Sequence, residues 1–338
     1  MATYREAGVD LAAADDMVSV IAADVTATWG VEVVGGFGGF AAGIALPAGY
    51  TNPVLMMSTD GVGTKAELAR QSGRLDGLGW DLVAMCIDDL AAAGARPIAM
   101  TDYLAVGRID TTMVGRIVRS IAAACNEADV ALLGGETAEH PGVLEADAFD
   151  LAGCALGVVE NGCEIDGSGV SVGDVVIGLL SPNLRSNGFS LVRHVVLGAI
   201  GLDDALPGTE GTVAEVLLEP SVLYAPAIVP LLSGVDVHGM AHVTGGGLPG
   251  NLRRILPPGC DALIDTDAWV PPAVFAAVQQ LGNVPGTEMF NTFNMGIGFV
   301  VVVPPYGAEP AVEMLGDAGR AAGVIGSIIE GNQQVRLA

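Results

Sequence analysis

The stretch ENGCEIDGSGVSVG, Glu160 to Gly173, interrupts an apolar chain near its middle with polar residues and glycines that support neither a strand nor a helix. It leaves two long segments on either side, and a chain of 338 residues is expected to split into two cores rather than build one. We place one domain at 1–165 and a second at 170–338.

Within each segment short apolar runs alternate with helical spacing, so both halves read as α/β, mixed α+β. Pro53 to Ser58 is a strand that delivers Asp60-Gly61 to a loop. Leu78 to Gly94 is a helix, Pro97 to Val106 a strand, Thr112 to Ala128 a helix, and Val130 to Leu133 a strand entering the loop Gly134-Gly135-Glu136-Thr137. Phe149 to Val159 closes the first half. The second half repeats the material, with helices expected near 189–198, 221–232, 248–255, 272–281 and 310–322 and strands at 262–264, 298–303 and 324–329.

The longest apolar runs, such as Phe299 to Val303, are too short to span a bilayer. No charged-then-apolar leader opens Met1 to Glu6, so a cytoplasmic protein is expected. A formal charge of -25 excludes duplex nucleic acid as a partner, because such binding needs a basic stripe. A phosphorylated small molecule stays open if local amides, a metal and a few cations hold it. Cys86, Cys125, Cys154, Cys163 and Cys260 contain no CxxC pair and read as small buried thiols.

Several glycine-rich loops carry chemistry-bearing residues. In Ser58-Thr59-Asp60-Gly61-Val62-Gly63-Thr64-Lys65 the glycines allow close backbone approach to an anion, Asp60 can hold magnesium, and Lys65, the chain's one lysine, can offset phosphoryl charge; a lysine on an ordinary turn is the alternative. Gly35 to Ala41 formally satisfies GxGxxA but lacks a crossover helix after it, which leaves a turn or a mobile flap over polyphosphate through Gly36 and Gly38. Asp81, Asp88 and Asp89 share one helix as either a solvated stripe or a metal-facing edge. Thr244-Gly245-Gly246-Gly247 opens a helix as an anion site, with His242 just before it as a charge stabiliser or proton carrier and Arg253 and Arg254 after it.

In this order the segments TYREAGVD (Thr3 to Asp10), GGFGGF (Gly35 to Phe40), TDGVGTK (Thr59 to Lys65), DLVAMCIDDL (Asp81 to Leu90), GGETAEHPG (Gly134 to Gly142), RSNGFSLVR (Arg185 to Arg193), HVTGGGLPGN (His242 to Asn251) and FNTFNMGIG (Phe290 to Gly298) resemble the phosphoribosylformylglycinamidine cyclo-ligase, or AIR synthetase, family. The resemblance implies a two-domain AIR-synthetase-like fold: an N-terminal sheet domain that pairs across a homodimer, and a C-terminal α/β sandwich domain. It also implies ATP-dependent closure of formylglycinamidine ribonucleotide (FGAM) to aminoimidazole ribonucleotide (AIR), with ADP and phosphate released, in purine biosynthesis.

By that resemblance Lys65 and His242 are the expected catalytic residues. Gly36, Gly38, Asp60, Gly61, Gly63, Thr64, Lys65, Gly134, Gly135, Glu136 and Thr137 would bind ATP, and Asp60, Asp89 and Glu136 would hold Mg²⁺, with K⁺ as a further candidate ion. The substrate's 5′-phosphate would rest on the amides of either Ser186-Asn187-Gly188 or Gly245-Gly246-Gly247, beside Thr244. The chain departs from the family pattern at Asp88, where Asn is usual, at His140, where Met is usual, and at Arg185 and Phe189, where His and Tyr are usual.

Overall fold

The computed structural model describes residues 11–338, and the segment Thr3 to Asp10 lies outside the described residues. The first half runs α1 (Leu11–Thr26), β1 (Val33–Val34), β2 (Gly43–Ile44), β3 (Pro53–Gly61), α2 (Lys65–Ser72), α3 (Leu78–Ala92), β4 (Arg96–Val106), α4 (Thr111–Glu127), β5 (Ala131–Glu139) and β6 (Phe149–Glu160). The second half runs β7 (Val175–Leu180), α5 (Phe189–Val196), α6 (Val213–Leu217), α7 (Ala225–Leu231), β8 (Gly239–His242), α8 (Gly247–Leu252), β9 (Cys260–Ile264), α9 (Ala273–Gly282), α10 (Gly286–Thr292), β10 (Ile297–Val303), α11 (Ala308–Asp317), β11 (Ala322–Glu330) and β12 (Val335–Leu337).

Each half has its own sheet. The first is four-stranded in the order β3-β6-β4-β5, antiparallel except for the β4/β5 pair. The second is six-stranded in the order β12-β9-β11-β7-β10-β8, with only β12/β9 parallel. Strand β10, IGFVVVV, is buried at every position because a strand between two neighbours and under helices has no wet face.

Helix α3 joins the halves. Its sequence LGWDLVAMCIDDLAA is apolar almost all round, as expected for a helix buried on every side. It packs on β3, β4 and β6 of its own sheet and on α7 and β8 of the second half. Asp81 and Asp88, two turns apart, both face the second half, while Asp89 turns toward β3. Helix α4 begins cleanly because Asp110 accepts the N–H groups of Thr112 and Met113.

The helices cover one face of the four-stranded sheet; the other is bare except where Ile44 and Tyr50 pack with Ile98, Ala99 and Val158. Strand alternation puts Val54, Met56, Ser58 and Asp60 toward α3, and Leu55 (52% exposed) and Met57 (70%) on the bare face with Tyr103 (42%) of β4.

Three sequence expectations change. The GGET segment is not a loop: β5 continues through it to Glu139, paired in parallel with β4 after a one-residue shift at Gly134. The helix expected at 221–232 is shorter, Ala225–Leu231, because Pro226 occupies its first turn and the four residues before it run irregularly. Of the cysteines, Cys86, Cys125 and Cys260 are buried, but Cys154 is partly exposed and Cys163 exposed.

Candidate active site

Two cavities collect the chemistry-bearing residues, and they lie at opposite edges of the four-stranded sheet. The first, ≈ 550 Å³, is bounded by the Gly36–Ala42 turn between β1 and β2, by α1, and by the β4–β5 edge from Leu133 to Thr137. Helix α1 is tied to β5 through Leu132, whose N–H goes to Thr28 Oγ1 (2.9 Å) and whose carbonyl accepts Trp29 Nε1 (2.7 Å). Gly36, Gly38, Gly134, Gly135, Glu136 and Thr137 thus meet as the sequence expected, with Phe40 fully exposed at the tip of the turn.

Asp102 of β4, missed by sequence reasoning, also lines this cavity. Its carboxylate lies where a Cβ on Gly135 would stand, 2.3 Å from Oδ1, so that position tolerates only glycine. A lone acid in the apolar strand IAMTDYLAV was the available signal. Loss of solvent pushes Asp102 up to about 7. A carboxyl raised above its unfolded value of about 3.9 penalises the fold progressively as pH rises toward 7 and fully above it. Asp102→Asn should therefore raise the melting temperature more at about pH 8 than at about pH 5. Equal gains at both would show that Asp102 ionises normally.

The second cavity, ≈ 310 Å³, lies between β3 and α3 on one side and β8 and α8 on the other. His242 ends β8, paired with Phe299 of β10, and Phe299 also stacks on the imidazole at 25° and 6.3 Å between centroids. Its Nδ1 is 2.8 Å from Asp89 Oδ1, while its buried Nε2 has no protein partner. Asp89 Oδ2 accepts Ser58 Oγ at 3.3 Å. Burial alone would raise Asp89, but the hydrogen bond and charge of His242 outweigh it and hold the carboxyl below its ordinary value. Asp60 moves the other way: burial raises it, Asp89 adds to the rise, and the Gly61 N–H (2.7 Å) opposes it. Among the described residues it has no ion-pair partner, though the charge of His242 also opposes the rise.

Lys65 does not join either cavity, which corrects the expectation of a phosphoryl contact. Its side chain turns into the junction of the two halves, where Nζ reaches Asp81 Oδ1 (2.8 Å) and the carbonyls of Arg185 (3.0 Å) and Glu219 (2.9 Å) at zero exposure. All three of its donors are used. Gly61, Gly63 and Thr64 stay at the junction beside the second half, with Thr64 Oγ1 3.2 Å from Ser190 Oγ. The three acids of α3 are therefore not a solvated stripe: Asp81 holds Lys65, Asp88 holds Arg185 at 2.7 Å with both side chains fully buried, and Asp89 holds His242. Asp88 and Arg185, two departures from the family pattern, are thus one buried pair. A third departure, His140, has its Nε2 3.0 Å from Tyr103 Oη.

The two expected phosphate loops meet each other, since Asn187 Oδ1 accepts the Gly245 N–H at 3.0 Å. Packing accounts for two of their glycines, Gly188 and Gly247. A Cβ at Gly247 would sit 1.9 Å from the Phe290 carbonyl, and one at Gly188 would sit 2.3 Å from the Phe293 ring. Ser186 Oγ donates to the Val62 carbonyl, and Thr244 is held through Asn251.

Among the described residues no three His, Cys, Asp or Glu side chains converge on a point that could hold a metal. The expected trio of Asp60, Asp89 and Glu136 is not assembled within one chain. Asp89 is engaged by His242, and Glu136 on β5 is separated from Asp60 on β3 by the full width of the sheet, about 14 Å across three strand spacings.

Comparison with known proteins follows the same division of the chain. Residues 38–159 match the AIR synthase related protein, N-terminal domain, and residues 171–337 match the C-terminal domain of that family. Phosphoribosylformylglycinamidine cyclo-ligases of Citrifermentans bemidjiense and Sorangium cellulosum are each 46% identical, covering 96% and 97% of this chain and 94% and 95% of theirs. The enzyme of that name from Crocosphaera subtropica is 43% identical over 98% of both chains. Among solved structures, a thiamine-monophosphate kinase from Stenotrophomonas maltophilia superposes with TM-score 0.69 at 20% identity, covering 96% of this chain and 95% of that one. The hydrogenase maturation protein HypE in complex with ATP gives 0.66 at 19%, covering 95% and 88%. These two likenesses establish the fold.

Proposed function

The chain belongs to the phosphoribosylformylglycinamidine cyclo-ligase family, and on that premise we propose that it closes its ring at a site built from two copies of itself. It is an ATP-dependent ligase that converts FGAM to AIR with release of ADP and phosphate.

The observation that carries the two-copy reading is the placement of the cavities. The glycine turn and GGET strand occupy the β5 edge, while Ser58, Asp89 and His242 line the cavity at the β3 edge, with Asp60 two residues beyond Ser58 on β3. ATP and the group it activates must touch, so one edge of one protomer has to meet the other edge of a second. A sheet with two open edges and a bare apolar face at Leu55, Met57 and Tyr103 is suited to this, because closing on a second sheet as a barrel removes both edges and buries the face. Residues 1–165 would then bind nucleotide and dimerise, and 170–338 would cover the acceptor side, in a cytoplasmic homodimer.

The chemistry needs ATP because an amide oxygen is a poor leaving group. Transfer of the γ-phosphoryl to the formyl oxygen, with loss of the formamide N–H proton, gives an iminophosphate. The ribose-bearing amidine nitrogen then attacks that carbon, the C–O bond breaks, and phosphate leaves with the oxygen. Holding nucleophile and electrophile in one cleft supplies much of the rate. Gly36 and Gly38 would close over the nucleotide, while Gly134, Gly135 and Thr137 would approach its phosphates. Asp60 and the partner subunit's Glu136 would hold magnesium, which would supply charge neutralisation at the phosphates.

The direct test mixes pure protein with FGAM, ATP, Mg²⁺ and K⁺ and follows ADP and AIR, which should appear in equal amounts. Turnover with thiamine phosphate in place of FGAM, or none at all, would overturn the assignment.

A further inference from the structure

The geometry points to Arg185 as a positioning residue for ring closure: its buried guanidinium, paired with Asp88, holds a backbone turn that seats Ser186 against Val62 and Asn187 against Gly245. The inference rests on the ring-closing function above and gives a task to a side chain that departs from the family pattern.

Arg185 has a φ of 59°, a left-handed conformation that a residue with a Cβ rarely takes. Such a turn persists only where its surroundings fix it from several directions. Here the Arg185 N–H donates to Asn183 Oδ1 at 2.9 Å, and the Arg185 carbonyl accepts Lys65 Nζ of α2 at 3.0 Å. The guanidinium donates to Asp88 Oδ2 of α3 at 2.7 Å and to the Gly298 carbonyl of β10 at 3.3 Å. Backbone and side chain are thus both held, by three separate elements.

Stability alone does not account for this arrangement. Arg185 is fully buried, yet its Nε has no partner among the described residues. A buried ion pair adds little over apolar side chains of similar volume, and an unpaired buried donor subtracts from that. What the planar fork does supply is direction, because it reaches α3 and β10 at once.

The next residues show what the direction serves. Ser186 Oγ donates to the carbonyl of Val62, two residues beyond Asp60, at 3.2 Å. Asn187 Oδ1 accepts the Gly245 N–H at 3.0 Å, and its Nδ2 meets Met85 Sδ of α3 at 3.4 Å. The segment 185–187 therefore fixes the end of β3, which carries Asp60, against the Thr244–Gly247 turn that follows His242. A change of φ at Arg185 to the common negative range would swing Ser186 and Asn187 off both contacts. Lys65 belongs to the same device, since its ammonium binds the Arg185 carbonyl and Asp81 together.

The test uses the whole protein and three variants. Arg185→Met keeps an apolar stem, Arg185→Lys keeps a charge for Asp88, and Asp88→Asn with Arg185→His carries the residues usual in the family. Circular dichroism confirms folding, and rates are taken per folded molecule. Hydrogen exchange read by mass spectrometry, without substrate, should show the amides of 243–248 exchanging faster in Arg185→Met. In steady state its kcat should fall by on the order of tenfold while KM for ATP stays within about twofold, because the cavity beside α1 lies at the other sheet edge. Arg185→Lys and the double variant should each recover part of both effects, and Arg185→Lys against the unaltered protein supplies the comparison where Arg185→Met does not fold. Unchanged exchange or unchanged turnover in the folded single variants would overturn the inference. If the unaltered protein does not turn over FGAM, the ring-closing function fails, while the exchange result still decides whether Arg185 holds the turn.

Discussion

Replacing Lys65 by methionine lowers the melting temperature by on the order of 10 °C, the outcome expected of a broken buried ion pair. The substitution strands the Asp81 carboxylate in the domain junction, where Ser221 N–H and Oγ remain its donors. Removing one partner of a buried pair costs about 3–5 kcal/mol, whereas removing both can be near neutral. Lys65→Met with Asp81→Leu should therefore recover much of the loss.

The same logic applies two turns along α3. Asp88 accepts the N–H groups of Tyr224 and Ala225 at 2.8 Å each, and Arg185 lies 4.7 Å over the Tyr224 ring while donating to the Gly298 carbonyl. Asp88→Asn and Arg185→His should each destabilise alone, and together by less than their sum, with coupling of about 1–3 kcal/mol. Additive effects would mean the two positions do not depend on each other.

Much of the scaffold was legible in the sequence. The polar break at 160–173 falls between the two sheets, and the helix expected over 78–94 and the strand expected over 298–303 are found at Leu78–Ala92 and Ile297–Val303. What was not legible depended on distant partners. Lys65 reads as a surface cation on a glycine turn until Arg185 and Glu219 arrive from 120 and 154 residues away to close its donors. The GGET segment reads as a loop because its pairing to β4 is parallel and shifted at a glycine, which leaves no local pattern. Helix α1 was legible but overlooked: Met17, Ile21 and Val25 recur every fourth residue and face the core.

The family motifs fall on segments that border the two cavities and the domain junction, but single residues within them do different work. Asp81, Asp88 and Asp89 sit within nine residues, and burial and partner separate them into two structural anchors and one group that orients a histidine. Glycines at 188 and 247 serve close packing, whereas those at 36, 38 and 134 to 135 border the cavity beside α1.

The central claim is that Asp60 of one protomer works with Glu136 of the partner subunit, and mixed dimers test it. Asp60→Asn and Glu136→Gln homodimers should each lose turnover by on the order of 10²-fold. Co-expressed with different tags and purified as the mixed dimer, the two variants place both changes in one site and leave the other intact, so about half of the normal turnover per dimer should return. A mixed dimer as inactive as its parents would place both carboxylates in one protomer's site and contradict the account.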